Sequence, residues 1–390
     1  MSGSVPRFST LLVGLACVSC GAAAGGEAGD GDAAQGEAGT LASLMLDSGA
    51  AADVGSLVDG DAAPAGDTGP VGASDGSPPG AFPAGWLFTK GNQIFVSNGA
   101  TSAPWMGRGV NVDDIFLCGG NSTLSMTAPD TTLETIVSGV IAGWKATFLR
   151  MSLAMNSDTT KVSWLTDPTQ YKTPMTNVIQ AIGTHESVYV LVTLRSDATM
   201  VETDQGNEAT YIPQAGTDAV YTALVDSFAH DSFVMFGLTN EPGTIASTDL
   251  VPVLSHAVSV IRAEEDLLGV PHHIVTVQGT GWDQDISFYS ASPLPYDNVV
   301  YEFHYYPVNG TTAASYTYAN IPVLIGEYGI TGDPSSFFVD VEAKQIPSAA
   351  WDFEPYSNCA PDLVAVSDSA TTLTPTSPWG TAVQAYLTSH

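Results

Sequence analysis

Beyond Phe82 the apolar residues of the chain come in short bursts. Eight runs with strand character recur: Gly107–Asn111, Thr147–Leu153, Val188–Leu194, Phe233–Thr239, His273–Gln278, Asn298–His304, Val323–Glu327 and Ala349–Phe353. Most are continuous β-branched or aromatic stretches rather than alternating ones, the pattern of parallel strands covered on both faces. Several gaps between them carry apolar residues at helical spacing: Asp130–Gly143, Met175–Gly183, Ala219–Phe228 and Leu250–Leu268, the last through Val253, Leu254, Ala257, Val258 and Ile261. A strand–helix beat repeated eight times predicts an α/β fold, a closed (β/α)8 TIM barrel. An open doubly wound sheet more often shows fewer strands and a Gly-rich first turn.

The N-terminal part has no such beat. Arg7, the apolar stretch Leu11–Ala16 and the small residues around Cys17 and Cys20 read as a signal segment over residues 1–20. The stretch is too short to span a bilayer. Small residues before a cysteine also resemble a lipoprotein signal, although neither cysteine has Leu three residues earlier. Two readings stay open: a lipid anchor to a membrane, or ordinary cleavage and release. Either way a secreted or outer-surface bacterial protein is expected. Residues 21–81 hold no Lys, Arg or aromatic residue, so they cannot bury enough apolar surface to offset their ordering entropy. A disordered acidic linker is predicted there, and residues 82–390 are predicted to form a single folded domain.

Charge narrows the partners. Ten Lys and Arg stand against 41 Asp and Glu, a formal net charge of −31. Such a chain does not track a phosphate backbone, so no nucleic acid is expected as a partner. A neutral polysaccharide or oligosaccharide is compatible, and a monomer is expected.

In a barrel of this kind functional side chains sit at the C-terminal ends of the strands. Those positions hold Asn111, Arg150, Arg195, Asn240, Glu241, Trp282, His304, Tyr306, Glu327 and Trp351. Two carboxyl groups among asparagine, histidine, arginine and aromatic rings suit cleavage of a glycosidic bond. One must carry a proton to the leaving oxygen and the other must be ionised.

The motif Leu238-Thr239-Asn240-Glu241-Pro242 after strand four, with Leu324-Ile325-Gly326-Glu327-Tyr328-Gly329 after strand seven, resembles glycoside hydrolase family 5, the cellulase/mannanase family of retaining (β/α)8 enzymes. The likeness runs from about Trp86 to the last strand. It implies Glu241 as acid/base and Glu327 as nucleophile. It also implies Asn240 on the sugar 2-hydroxyl and Arg150 holding the nucleophile ionised. His304 and Tyr306 of Glu302-Phe303-His304-Tyr305-Tyr306 match the active-site histidine and tyrosine, and Trp351 matches the floor beneath the sugar. Trp282 is a further candidate for substrate binding. The chain departs from the family at Thr147 and Ser152, where Asn and Pro are common, and after strand three, where Arg195 stands near the place of a frequent histidine.

Taken singly these residues have plainer readings. Asn-Glu-Pro can start a helix, His304 can be a structural histidine and Trp351 can be core. Their joint fall at strands two, four, six, seven and eight favours the site. Arg195 is expected to be a salt-bridged structural arginine, and Glu302 to point away from His304 along its strand. No metal or other cofactor is expected: His272-His273 lacks a ligand partner at useful spacing. The absence of a Gly-x-Ser-x-Gly elbow argues against an esterase.

The resulting expectation is an endo-β-1,4-glucanase or β-mannanase. The alternatives are an exo-acting β-glucosidase or oligosaccharide-specific enzyme, and a non-catalytic carbohydrate-binding surface protein. Cys118 and Cys359 follow strands one and eight, neighbours in a closed barrel. In an exported domain they are expected to form a disulfide, the other reading being two free thiols.

Overall fold

The computed structural model describes residues 82–116, 129–155, 162–205, 209–330, 332–355, 361–365 and 370–390. The signal-like start, the acidic segment and all four cysteines lie outside the described residues. So do the lipid-anchor and disulfide expectations attached to them.

Three short antiparallel strands come first: β1 (Leu87–Lys90), β2 (Gln93–Ser97) and β3 (Ser102–Pro104). Then follow β4 (Arg108–Asp113), β5 (Phe148–Ala154) and β6 (Tyr189–Ser196). A hairpin, β7 (Val201–Gln205) with β8 (Ala209–Ile212), branches off after β6. The remaining strands are β9 (Val234–Gly237), β10 (Val275–Val277), β11 (Val299–Tyr305), β12 (Val323–Tyr328) and β13 (Ser348–Ala350). Strands β4-β5-β6-β9-β10-β11-β12-β13 pair in parallel in that order, and β13 returns to β4. Each of the eight runs read from the sequence supplies one of them, and the (β/α)8 barrel is what the chain forms.

The four helices expected are present as α1 (Pro129–Trp144), α2 (Thr173–Gly183), α3 (Asp218–Phe228) and α4 (Ser247–Leu268). Helix α4 buries Leu250, Leu254, Ala257, Val258 and Ile261 on one face. It stops at Gly269, whose left-handed φ of 67° lets its N–H return to the carbonyls of Glu265 and Asp266. The beat is less even than expected later on. Between β10 and β11 lie only the short left-handed turn Thr280–Asp283 and the five-residue α5 (Ser287–Ala291), and between β11 and β12 only the 3₁₀ turns Pro307–Asn309 and Ala313–Tyr316. Helices α6 (Ser335–Lys344) and α7 (Trp379–Thr388) follow β12 and β13.

Strand alternation sorts the core. Outward residues such as Val110, Leu149, Met151, Val190, Val192, Val275 and Ile325 belong to the core shared with the helices. Inward residues near the strand starts form an apolar plug of Phe148, Leu191, Met235, Ile274, Val300, Leu324 and Ala349. It is closed from below by Leu87, Ile94 and Trp105. The Trp105 ring meets Phe148 and Tyr189 edge-on at 5.6 and 5.4 Å. Two residues further along, the inward positions turn polar: Asn111, Arg150, Thr193, Thr276 and Glu302, all fully buried. The plug closes one end of the barrel, and the polar layer is the base of whatever chemistry opens at the other.

Candidate active site

Glu327 lies near the end of β12, and three groups converge on it. Arg150 Nη1 donates to Oε1 at 2.9 Å, the Tyr306 hydroxyl donates to Oε2 at 2.8 Å, and His304 Nδ1 lies 3.4 Å from Oε2. The Arg150 guanidinium is spread over five acceptors, the most distant being Ser152 Oγ at 3.4 Å from Nη1. Its Nε reaches Glu302 Oε1 at 2.7 Å, Nη1 also reaches Asn111 Oδ1 at 3.0 Å, and Nη2 reaches Asn240 Oδ1 at 2.6 Å. Asn111 is held in turn by its amide N–H on the Gly326 carbonyl at 3.0 Å. A buried guanidinium persists only when its donors are satisfied, and the charges of Glu302 and Glu327 keep Arg150 protonated against the cost of burial.

Glu241 follows β9. It has a φ of +47°, a left-handed backbone that is uncommon for a residue with a side chain. Its N–H donates to Gln278 Oε1 at 2.5 Å, and its Oε1 lies 2.8 Å from His304 Nδ1. One ligand atom each from Glu241, His304 and Glu327 lie within 4.8 Å of one another. The two side chains are 11% and 4% exposed, so both are held by the protein and only edged by solvent.

His304 joins them. Its Nε2 faces Glu302 Oε1 at 3.3 Å and Asp283 Oδ2 at 3.8 Å. Burial alone would lower the imidazole pKa. The charge of Glu327 and the hydrogen bonds to Glu241 and Glu302 outweigh it and push the group up to about 10. Glu302 is the converse case. Burial opposes its charge, but Arg150 and His304 hold it down at about 2. Asp283, buried beside these carboxylates, is pushed far above the ordinary range by desolvation. Two groups of three, Glu241–His304–Glu327 and Asp283–Glu302–His304, have ligand atoms close enough for a metal. In both, His304 faces carboxylates at each ring nitrogen.

Two expectations need correction. Glu302 does not point away from His304. Residues two apart on a strand share a face, and both side chains enter the barrel, with a register shift between Phe303 and His304. Arg195 forms no ion pair among the described residues. Its guanidinium lies 5.8 Å from the centroid of the Trp351 ring, whereas Arg108, Arg150 and Arg262 are all paired with carboxylates.

Trp351 sits just past β13, before a cis peptide bond to Asp352, and its carbonyl accepts the Trp379 indole N–H at 3.1 Å. Trp282 lies in a turn where Gly281, Trp282 and Asp283 all have left-handed φ values of 62°, 57° and 57°. The turn is tied by Gly281 N–H to the Gly243 carbonyl at 2.6 Å and by Gly279 N–H to Asp283 Oδ1 at 2.6 Å. The indole N–H of Trp282 has no partner among the described residues. The β7–β8 hairpin reaches the site through a bridge between Tyr211 and Asn240. Sequence reasoning missed Glu302, Gln278, Asp283, Asp113 and Asp352. Inward register was the available signal for the first two, being polar residues at alternate positions of otherwise apolar runs.

A family model for cellulase (glycosyl hydrolase family 5) matches residues 117–356. An endoglucanase of Clostridium saccharobutylicum is 25% identical over 200 residues, which make up 49% of this chain and 40% of that protein. Among solved structures, a mannanase catalytic domain from Streptomyces sp. SirexAA-E superposes with a TM-score of 0.56 at 19% identity, covering 78% of this chain and 91% of that one. A β-glucanase from Saccharophagus degradans in complex with cellotetraose gives 0.57 at 15%, covering 78% and 93%. At these identities the structural matches speak for the fold.

Proposed function

The chain belongs to glycosyl hydrolase family 5, and from that premise we propose that it is a retaining, endo-acting β-glycanase with Glu241 as acid/base and Glu327 as nucleophile. β-1,4-Glucan is the first substrate and β-mannan the second. The observation that carries this reading is the approach of Glu241 and Glu327, whose ligand atoms lie within 4.8 Å of each other and of His304 Nδ1. Retaining enzymes hold their carboxyl groups about 5–5.5 Å apart, whereas inverting ones need about 6.5–9.5 Å to admit a water.

In the first step Glu241 gives its proton to the leaving glycosidic oxygen while Glu327 attacks the anomeric carbon, forming a glycosyl ester. In the second, Glu241 takes a proton from water as the water displaces Glu327. Arg150 and Tyr306 hold the attacking carboxylate in place and spread its charge. Asn240 presents its amide to the sugar 2-hydroxyl, and Trp351 offers an apolar face to the ring. The naming of the clostridial relative as an endoglucanase supports the glucan choice. The signal-like start supports export, which brings an enzyme to polymers that do not enter cells. No described helix is long and apolar enough to cross a membrane.

The test is a product profile on carboxymethylcellulose, lichenan, glucomannan and mannan, with Glu327→Ala as the blank. Mid-chain cleavage of a β-1,4-glucan or mannan, absent from the blank, is the expected result. Release of single sugars from chain ends alone, or no release from any polymer, would overturn it.

A further inference from the structure

We propose that Glu302 is a positioning residue which, acting through His304, keeps the acid proton of Glu241 on the oxygen left free for the leaving group. The proposal rests on the glycosidase reading above and adds to it a third carboxyl group of the centre.

Glu302 is immobilised as few carboxylates are. Its Oε1 accepts from Arg150 Nε at 2.7 Å and its Oε2 accepts from the Thr276 hydroxyl at 2.6 Å. Gly326, one residue before the nucleophile, makes room for it. A Cβ built at Gly326 would lie 2.0 Å from Glu302 Oε1, so the carboxylate is seated against bare backbone at the base of Glu327. The side chain is fully buried, and its only way to remain there as an anion is through these donors.

From that seat it faces one nitrogen of His304 while Glu241 faces the other. The imidazole meets Glu302 Oε1, Asp283 Oδ2 and, at 3.4 Å, the Gln278 amide nitrogen at Nε2, and Glu241 Oε1 and Glu327 Oε2 at Nδ1. Arg150 is the cation on the far side of Glu302. Of the two acids at Nε2, Glu302 is the nearer and carries the ion pair with Arg150, while desolvation raises the Asp283 pKa well above its ordinary value, so Glu302 is the fixed anion there. A ring with a fixed anion at Nε2 and carboxylates at Nδ1 carries protons on both nitrogens.

The consequence lies at Glu241. With Nδ1–H as an obligatory donor, Oε1 of Glu241 must accept, and a proton on this carboxyl goes to Oε2. That oxygen takes no part in the contact with His304. Were the ring neutral with its lone pair at Nδ1, Oε1 would become the donor, and the acid proton would point into the protein rather than at the substrate. Glu302 touches neither substrate nor the reacting atoms in this scheme. It sets which oxygen of the acid is loaded.

The experiment compares the whole protein with Glu302→Gln and Glu302→Asp. The His304 ring nitrogens are followed by ¹⁵N NMR against pH, with His304→Asn to assign the signals. Hydrolysis is followed on a β-glucan and on a dinitrophenyl β-cellobioside, whose leaving group departs without a proton. In Glu302→Gln the imidazolium should be lost at least about two pH units lower than in the parent. The glucan rate should fall about 100-fold more than the aryl glycoside rate. Glu302→Asp, which keeps the charge, should recover most of both. An unmoved His304 titration, or equal losses on the two substrates, would overturn the proposal. If Glu302→Gln does not fold, Thr276→Val removes one donor to Glu302 and should move the His304 titration in the same direction by less. No movement there would also overturn it. A parent protein inactive on both substrates would instead refute the glycosidase reading, while the NMR titration would still decide whether Glu302 holds His304 charged.

Discussion

Arg150 fixes the orientation of Asn240. Its Nη2 donates to Asn240 Oδ1 at 2.6 Å, so the amide oxygen is spoken for and the amide nitrogen is the end left to donate. An asparagine beside an acid/base residue thus becomes a donor of known direction. Asn240→Asp keeps the acceptor for Arg150 and loses the donor. Its kcat/KM should fall about 100-fold, or about 2.7 kcal/mol of transition-state stabilisation, with little change in Tm. A loss of less than about threefold would show that the amide does not meet the substrate.

The two glutamates should fail in different ways. Glu241→Ala should lose hydrolysis of β-glucan by about 10²–10⁴-fold yet still form the glycosyl ester from a dinitrophenyl glycoside. Added azide should then speed turnover and yield the β-glycosyl azide, because a small anion can enter where the base has been removed. Glu327→Ala should be inactive on both substrates. Equal behaviour of the two variants, with no azide product from either, would remove the assigned division of roles.

Stability should fall as pH rises from acid to neutral. Burial pushes Asp113 up to about 8, against the pull of Arg195, and desolvation together with the charge of Asp113 raises Asp352 well above its ordinary value. Between the ordinary aspartate value of about 3.9 and pH 8 the folded state holds a proton that the unfolded chain has released. Stability there declines by up to about 1.4 kcal/mol per pH unit. Glu302, held at about 2, contributes stability that is complete above its ordinary value and is lost as pH falls toward 2. His304, at about 10, contributes stability complete below its ordinary value and lost as pH rises through 10. Tm should therefore peak near pH 4–5 and decline to pH 8, and Asp113→Asn should flatten that decline. A Tm that climbs between pH 5 and 8 would contradict it.

The barrel was legible because its signal is repeated. Eight apolar runs separated by helical stripes identify β4 to β13, even where a run such as Ala349–Phe353 begins one residue late and overruns a three-residue strand. Strands β1 to β3 and the β7–β8 hairpin were not read, since they are short antiparallel pairs outside the strand–helix repeat that marks equally short barrel strands such as β10 and β13. Positions at strand ends led to Glu241, Glu327, Arg150, His304 and Tyr306, which the fold brings into one hydrogen-bonded group. Glu302 was misread through its register: it and His304 are two residues apart and share the inner face. Asp283 and Asp352 lie in turns after their strands, where the backbone conformation that aims them has no trace in hydrophobic pattern. Arg195 could not be weighed from sequence, because whether a cation meets a carboxylate or the Trp351 ring depends on contacts across the barrel mouth.

The most direct test of the central claim is the anomeric form of the first product. A cello-oligosaccharide is added to the protein in buffered D₂O, and the reducing-end anomeric protons are followed by NMR before mutarotation mixes them. Attack by Glu327, followed by water that displaces it from the opposite face, the one the leaving group vacated, requires the β-anomer to appear first, with the α-anomer growing in only as mutarotation proceeds. First appearance of the α-anomer would mean direct displacement by water, and would contradict the roles assigned to Glu241 and Glu327.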